Sequence, residues 1–310
     1  MLALTATTGK IGGATLDAIL RYELLDKKDF IVLTSSSDEH PRVKEMKERG
    51  ISVKSDCNYG DTDSMANALK GCDSLFLVST PEIQLDFNNA PNGKGRESRH
   101  YSAIDAAISA VVQHIYYTSL AFKDGSKAGV MRAHFRTEAY LKEKQRQNQL
   151  RSYTAIREGL YSESWPLYLG HYSLSGKETR KEIVVAGDGQ ISWTSISDLG
   201  LANAMIITSP NDARFNNSVI HLSNTATLTL KDLASKVDKT LSIRSESEYI
   251  EHYEKEHEMQ APFLEWWAST YPSVQEGHCD IQDPLLTELL AKHGRQPESF
   301  DSILNTMVQK

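Results

Sequence analysis

Long apolar runs are missing from this sequence: no segment approaches the roughly 20 consecutive apolar residues that a membrane-spanning helix requires. Cysteine is scarce, because the chain of 310 residues has only Cys57, Cys72 and Cys279, too few and too scattered for a disulfide framework. The amino terminus also lacks the basic segment and apolar run of a signal peptide. We therefore expect a soluble, cytoplasmic protein without a membrane partner.

An excess of positive charge is lacking as well. Lysine and arginine number 34 against 41 aspartates and glutamates, a formal net charge of −7 that argues against direct binding of nucleic acid. His252 and His257 lack the i, i+4 spacing of a helical zinc site, so we expect an exposed charged helix there and no metal site. The remaining composition, 40% hydrophobic and 24% charged, is that of an ordinary globular protein.

Short apolar runs alternate with helical patterns, as the βαβ units of a parallel sheet require. Strands are predicted at residues 2–5, 30–33, 51–53, 75–78, 114–118, 152–156, 182–186 and 217–222. Helices are predicted at 12–25, 41–49, 62–69, 101–110, 133–144, 197–207 and 229–238, and mostly helical structure from 245. The polar segment 84–99 is too long and too rich in turn formers for a simple connection, and we interpret it as a mobile flap.

This alternation predicts an α/β fold built on a parallel sheet, with a smaller, mostly helical carboxy-terminal lobe. Residues 1–150 are expected to form the dinucleotide-binding core. Residues 151–160 and 182–240 are expected to complete that core, and residues 161–181 and 241–310 to form the lobe.

The loop after the first strand is a candidate phosphate-binding loop, formed by Ala6, Thr7, Thr8, Gly9, Lys10, Ile11 and Gly12. A dinucleotide pyrophosphate binds at the first helix's N-terminus, where free N–H groups and the helix dipole favour anions. Gly9 and Gly12 occupy the second and third glycine positions of such loops, and Ala6 occupies the first, where alanine is tolerable if it keeps a negative φ. The alternative is an unrelated turn that happens to contain glycine.

The end of the second strand lacks the acidic residue that would hold the ribose 2′-hydroxyl of NAD. Thr34, Ser35, Ser36 and Ser37 stand there, and the first acid is Asp38. Hydroxyls can hydrogen-bond a 2′-phosphate, and Lys10 and Arg42 are candidate charge partners, which favours NADP(H). The alternative is that the serines form a plain turn and Lys10 is solvated.

Together these motifs resemble the NmrA-like branch of the short-chain dehydrogenase/reductase superfamily, and within it the NADPH-dependent quinone reductases and triphenylmethane reductase. The likeness covers nearly the whole chain, and its pieces in order are specific although each alone is weak. They are the loop at 6–12 and residues 55–56, 75–80, 115–120, 134–141, 153–163, 187–189, 196–200, 221–223, 229–234 and 289–300.

The resemblance implies a doubly wound parallel sheet of the Rossmann type with an NADP(H) site across its carboxyl edge. It also implies that the smaller helical lobe lies over the nicotinamide and binds the substrate. The resemblance further implies two alternative functions. One is a reductase that transfers a hydride to a quinone or another flat conjugated acceptor, including roles in secondary metabolism. The other is a non-catalytic sensor of the NADP(H) redox state that regulates a protein partner. A homodimer is left open by the sequence.

The resemblance also implies which residues would meet the cofactor at the carboxyl ends of later strands. Beyond the loop, Ser35 and Ser36, these are Asp56, Cys57, Ser79, Thr80, Pro81, Thr118, His134, Glu158, Gly159 and Leu160. Pro81 has the alternative role of ending its strand. Glu158 stands where relatives commonly carry Asn or Pro, and it is expected either to accept from the nicotinamide carboxamide or to pair with Arg157.

We assign no catalytic Tyr-x-x-x-Lys pair after the fifth strand, where Tyr140 and Lys144 have that spacing but Tyr140 is expected to point away from the site, so a plain alcohol dehydrogenase is a poor candidate. Quinone reduction remains feasible, because its weakly basic oxyanions need little more than hydroxyls or water. We take Ser119, His134 and Tyr161 as candidate catalytic residues, against the alternatives of a turn serine and a surface histidine. Tyr161 and Trp165 are a candidate aromatic wall for a flat substrate, against the alternative of ordinary core aromatics.

Overall fold

The computed structural model of the chain describes residues 1–308, which form a seven-stranded parallel sheet flanked by helices and a separate two-stranded sheet. The strand order of the large sheet is β3-β2-β1-β4-β5-β6-β8. The strands are β1 (Leu2–Thr5), β2 (Phe30–Leu33), β3 (Val53–Lys54), β4 (Ser74–Leu77), β5 (His114–Leu120), β6 (Ser152–Glu158), β7 (Glu182–Val185), β8 (Ser218–Leu222) and β9 (Thr240–Ile243).

The helices alternate with these strands and cover both faces of the large sheet. They are α1 (Lys10–Arg21), α2 (Pro41–Glu48), α3 (Thr62–Ala68), α4 (Glu97–Ser109), α5 (Gly129–Arg146), α6 (Trp165–Tyr168), α7 (Ile196–Ile207), α8 (Leu230–Lys236), α9 (Glu246–His257), α10 (Ala261–Ala268), α11 (Thr270–Gln275), α12 (Leu285–Ala291) and α13 (Phe300–Val308). The prediction of a doubly wound α/β fold is confirmed.

The central strands are continuous apolar runs because both of their faces are buried. Side chains alternate between the faces. Leu4, Phe76 and Ile156 join the apolar cluster under α1, α7 and α12, whereas residues such as Leu75 and Ile115 pack towards α3, α4 and α5. The order reverses between β1 and β4, so a crevice opens at the carboxyl edge beside β1, the usual ligand position in such sheets.

The smaller sheet pairs β7 with β9 and belongs to an aromatic-rich cluster with α6, α9, α10 and α11. The prediction that the strand at 182–186 completes the large sheet is therefore wrong, although the strand itself exists. Its apolar run is the same in either sheet, so the sequence pattern could not assign it. The partner β9 was not predicted, because its four residues are exposed or only half-buried and lack an apolar run.

The segment 84–99 is anchored to the body of the protein and is not a free flap. Asp86 and Arg96 pair at 3.2 Å, and both side chains are buried. Glu97 is fully buried and accepts a hydrogen bond from Arg136 at 2.9 Å. Helix α4 accordingly begins at Glu97, four residues before the predicted start. Charges within a polar segment suggested solvation, but here each buried charge has a partner from the same segment or from α5.

No helix in the part of the chain that the structure describes is long and apolar enough to span a bilayer.

Helix α1 approaches β1 closely at one residue. A Cβ on Gly12 would lie 2.4 Å from the Ala6 carbonyl oxygen and 2.6 Å from that of Thr5. Both contacts are with backbone, which cannot rotate away. A Cβ on the next residue, Gly13, would stand 3.2 Å from the Thr7 oxygen.

We expect Gly12→Ala to lower the free energy of unfolding by about 1–3 kcal/mol, because helix and strand must move apart to admit the methyl group. Gly13→Ala is the matched control, since alanine gains about 1 kcal/mol of helix propensity there against a milder contact. Urea denaturation of both variants measures the difference. Equal stability of the two variants would contradict this account of the contact.

Candidate functional site

A cavity of about 490 Å³ lies at the carboxyl edge, where the strand order reverses. Eight of the predicted cofactor residues line it: Ala6, Thr8, Gly9, Ser35, Cys57, Ser79, Thr80 and Pro81. The remaining wall consists of Leu33, Thr34, Asn58, Tyr59, Gly60, Glu82 and Arg99. Residues from four different strand ends thus meet in one crevice.

The loop that opens this cavity turns sharply at Ala6. Its φ is 52°, in the left-handed region, so Ala6 does not keep the negative φ that would make alanine unstrained there. The N–H of Gly9 donates to the Ala6 carbonyl at 2.9 Å and closes the turn. Gly9 precedes α1 without a side-chain cap, which leaves N–H groups of the first helical turn free for an anion.

Other loop residues serve the fold. The Thr7 hydroxyl lies 3.6 Å from the Met46 sulfur in a buried contact, and Ile11 belongs to the core below the helix. The Thr8 hydroxyl lies 3.2 Å from that of Ser36, which joins the loop to the end of β2. Lys10 is exposed.

The charges near the end of β2 are arranged differently from the expectation. Arg42 pairs with Asp17 and, at 2.9 Å, with Glu45, so it is not a free cation beside Ser35. Asp38 pairs with Lys47 at 2.6 Å and accepts a hydrogen bond from Ser55. Within residues 1–308, Lys10 makes no ion pair. Of the two predicted charge partners, Lys10 alone remains available.

Several wall residues were not found from the sequence. Asn58, Tyr59 and Gly60 lie in the segment after β3, directly behind the predicted residues Asp56 and Cys57. Asp56 itself is exposed with a φ of 57° and does not line the cavity. The position after a parallel strand was a usable signal for these residues. No such signal marks Glu82 and Arg99, which pair with each other at 2.9 Å across a separation of 17 residues.

Beyond the cavity, the predicted Ser119 belongs to a buried ionic network. Its hydroxyl donates to Glu138 at 2.6 Å, and the Glu138 carboxylate is held by Arg157 at 2.7 and 3.0 Å. Arg157 also contacts Asp124 at 2.7 Å. Ser119 is only 3% exposed, so its one hydrogen is committed to Glu138.

The predicted His134 lies on α5, one turn before Glu138, in a second buried network. Its Nδ1 is 2.9 Å from the Tyr117 hydroxyl. Burial, reinforced by the nearby Arg96 guanidinium, holds the pKa of His134 well below its ordinary value. His100 lies behind Tyr117, and its Nε2 accepts from the backbone N–H of Thr80, a residue of the cavity wall. The alternative of a surface histidine is wrong, and Tyr117 and His100 were missed because their contacts join distant parts of the chain.

The predicted Tyr161 belongs to a third group, on the other face of β6. Its hydroxyl donates to Glu158 at 2.7 Å, and Asn203 donates to the second carboxylate oxygen at 2.6 Å. Glu158 is fully buried, and this burial raises the pKa of its carboxyl group to about 7. The expectation that Glu158 pairs with Arg157 is wrong, since neighbouring residues of a strand point to opposite faces.

The remaining predicted residues sit where neighbouring strands end. The Thr118 hydroxyl accepts from the N–H of Ser79 and ties β5 to the end of β4. A Cβ on Gly159 would collide with the Thr194 hydroxyl at 2.2 Å, and Leu160 is buried behind it.

The aromatic wall is not formed. Trp165 is fully buried against Tyr172 in the lobe cluster, whereas Tyr161 packs on the cluster under α7. The alternative, ordinary core aromatics, is confirmed for Trp165. The three candidate catalytic residues, Ser119, His134 and Tyr161, therefore belong to separate hydrogen-bond groups and do not contact one another through hydrogen bonds.

Glu158 gives the stability of the protein a pH dependence. Because its folded pKa is about 7, above the ordinary value of 4.5, the unfolded chain ionises first as the pH rises. The free energy of unfolding therefore falls by about 3 kcal/mol as the pH rises from about 4.5 to about 7, because the folded protein still holds a proton that the unfolded chain has released.

We expect Glu158→Gln to remove this loss, so that its free energy of unfolding exceeds that of the unmodified protein at pH 7.5 but not at pH 4.5. Chemical denaturation at both pH values measures the difference. Glu251→Gln, at an exposed position on α9, is the control and should change little at either pH. The same wild-type-to-variant difference at both pH values would refute a carboxyl group that ionises near neutrality.

Comparison with known proteins gives the following relatives. The NmrA-like family domain-containing oxidoreductase flvB of Aspergillus flavus is 28% identical over 305 residues, 95% of this chain and 90% of the relative. Quinone oxidoreductase 2 of Escherichia coli is 28% identical over 243 residues, 77% of this chain and 74% of the relative.

Solved structures share the fold. The NADPH-dependent quinone oxidoreductase QOR2 of Escherichia coli, complexed with NADPH, superposes with a TM-score of 0.76 at 23% identity over 99% of both chains. The triphenylmethane reductase of Citrobacter sp., complexed with NADP(H), gives 0.76 at 20% identity over 98% of this chain and 99% of the reductase. The model of the NmrA-like family matches residues 1–264, and the chain belongs to that family.

Proposed function

We propose that this protein is an NADPH-dependent oxidoreductase that transfers a hydride to a quinone or another flat conjugated acceptor. The observation that carries the proposal is the crevice at the strand reversal, where an uncapped helix N-terminus and a hydroxyl-lined strand end face one cavity of about 490 Å³. The names of the two curated relatives, both oxidoreductases, support the same reaction class.

The residues present fit a dinucleotide. Gly12 lets α1 approach the loop where any Cβ would collide with the Ala6 backbone, and this approach brings the helix N-terminus to the cavity. The free N–H groups in the first turn of α1, which follows Gly9, are the natural partners of a pyrophosphate. The adenosine half then has the space between the ends of β2 and β3, beside Ser35 and Tyr59.

NADP(H) fits this end better than NAD(H). No carboxylate from the end of β2 lines the cavity, because Thr34 and Ser35 stand there and Asp38 is bound by Lys47 and Ser55. A ribose 2′-hydroxyl would lack its usual acidic partner, whereas a 2′-phosphate would find hydroxyl donors at Thr34 and Ser35. The NADPH and NADP(H) bound to the two structural relatives support this choice.

On the acceptor side, bound NADPH would supply a hydride, and the overall reaction consumes NADPH, a quinone and one proton to give NADP⁺ and a hydroquinone. The Ser119 and Tyr161 hydroxyls already donate to Glu138 and Glu158. We therefore propose that Ser119 and Tyr161 stabilise the structure around the site, and that His134 contacts the acceptor. Its Nε2 has no partner within residues 1–308 and is not sealed from solvent.

One observation favours a second candidate, a sensor of the NADP(H) redox state that regulates a protein partner. The anchored segment 84–99 packs on α5 through bonds from Arg96 to the Val130 carbonyl and from Arg136 to the Ala90 carbonyl. His134 and Ser119 are only 4% and 3% exposed. An acceptor would need room beside these residues, whereas a sensor would not.

The absorbance of NADPH in the presence of a panel of quinones and triphenylmethane dyes separates the two candidates. Turnover of any flat acceptor supports the reductase. No turnover, together with tight binding of both NADPH and NADP⁺, would refute the reductase function and support the sensor.

We expect Gly9→Asp to abolish NADPH binding, because its carboxylate would stand against the pyrophosphate in the phosphate loop. Gly9→Ala is the control for size: φ at Gly9 is −93°, and the added Cβ would lie 3.3 Å from the Ala6 oxygen. We expect this variant to bind within about tenfold of the unmodified protein, a change of about 1.4 kcal/mol. Titration of NADPH fluorescence measures both. Unchanged affinity in Gly9→Asp would refute the loop assignment.

We expect Ser35→Asp to weaken NADPH binding by about tenfold to a hundredfold, since a carboxylate at this exposed cavity position repels the 2′-phosphate. NADH affinity should stay the same or improve. The isosteric Ser35→Asn keeps the shape without the charge and should change both affinities little. A parallel loss of NADPH and NADH affinity would contradict a 2′-phosphate site beside Ser35.

A further inference from the structure

The network around Tyr117 fixes the position of each of its hydrogen atoms, beginning at His100. The backbone N–H of Thr80 donates to His100 Nε2 at 3.0 Å, so this nitrogen carries no hydrogen. The neutral ring therefore carries its hydrogen on Nδ1, which lies 2.8 Å from the Thr137 hydroxyl. Thr137 can accept from Nδ1, because its own hydrogen is donated to the Ala133 carbonyl at 2.7 Å.

Of the two histidine nitrogens near its hydroxyl, Tyr117 can then donate to only one. Its hydroxyl is 3.3 Å from His100 Nδ1, which is already a donor, and 2.9 Å from His134 Nδ1. Tyr117 is fully buried, and an unpaired hydroxyl hydrogen there would cost about 1–3 kcal/mol. In the 2.9 Å contact the hydroxyl then donates to His134 Nδ1, and the hydrogen of the neutral His134 ring lies on Nε2.

The Nε2 atom of His134 lies towards the carboxyl edge of the sheet. Helix α5 follows β5 and runs back along it, and Glu138 on this helix reaches Ser119 near the end of β5. His134 lies one turn earlier, about 6 Å further towards the carboxyl edge. Within residues 1–308, this N–H donor therefore has no protein partner and lies on the side of the sheet where the cavity opens.

We propose that Tyr117 is a positioning residue that holds His134 in the tautomer protonated on Nε2, so that this N–H donates a hydrogen bond to the acceptor oxygen as it gains negative charge. The inference rests on the proposed reductase function and deepens it. His134 stabilises the oxyanion but keeps its own hydrogen. The proton that completes the hydroquinone comes from solvent. Preorganised donors of this kind need no rearrangement during the reaction.

Nuclear magnetic resonance of the full-length protein labelled with ¹⁵N-histidine tests the tautomers without any turnover. The two ring-nitrogen shifts identify which nitrogen is protonated, and His134→Gln and His100→Gln assign the signals. At neutral pH we expect His134 to be protonated on Nε2 and His100 on Nδ1. Protonation of His134 on Nδ1, or on both nitrogens, in the unmodified protein would overturn the proposal.

Tyr117→Phe removes the hydroxyl that holds His134. Tyr116→Phe is the matched control: Tyr116 is the neighbour on β5, similarly buried, faces the other side of the sheet, and its hydroxyl has no partner within residues 1–308. We expect Tyr117→Phe to move the His134 signals towards a mixture of tautomers, and Tyr116→Phe to leave them in place. Unchanged His134 signals in a folded Tyr117→Phe protein would also overturn the proposal.

If the protein reduces a quinone, we expect Tyr117→Phe to lower kcat by about tenfold to a hundredfold, because a misplaced donor loses its effect. The KM for NADPH should stay within twofold, and Tyr116→Phe should behave as the unmodified protein. An unchanged kcat with altered His134 signals would overturn the catalytic half of the inference. Absence of turnover in the unmodified protein would instead refute the reductase function, and the resonance measurement would still decide the tautomer.

Discussion

The close approach of α1 to β1 at Gly12 is the contact on which the rest of this structure depends. A backbone-to-backbone contact has no side chain to adjust, so it determines where the helix begins relative to the sheet. It also explains the turn at Ala6, whose left-handed backbone leads the chain from the strand into the helix. An alanine in this conformation costs roughly 1–2 kcal/mol, which the surrounding packing must offset. The cavity at the strand reversal follows from that geometry.

Features carried by local sequence could be predicted. The strands of the large sheet were found to within a few residues, because buried parallel strands are continuous apolar runs. The sharp turn from β1 into α1 was recognisable because glycine spacing, strand and helix occur together within about a dozen residues. Eight predicted cofactor residues line one cavity for the same reason, since each follows directly after a strand or belongs to that turn.

Features that depend on side-chain pairing could not be predicted in this way. Arg42 was expected beside a phosphate, yet Asp17 of the preceding helix holds it. The polar segment 84–99 looked solvated, yet Asp86 and Glu97 are neutralised by arginines. Arg99, Tyr117 and Asn203 acquire their roles only through contacts across 17 or more residues. In each case the residue type was visible, but the partner that decides its role was not.

The order of hydrogen bonds around Tyr117 has a consequence for how protons move in this protein. From the Thr80 amide through His100 and Thr137 to the Ala133 carbonyl, every hydrogen points the same way and every acceptor is occupied. Proton transfer along this row would require every hydrogen bond in it to exchange its donor and acceptor. The row begins at a backbone amide, which cannot release its hydrogen, so this exchange is blocked. These hydrogen bonds therefore do not conduct protons. They connect the end of β4 to α5 and separate the protein interior from proton transfer at the cavity.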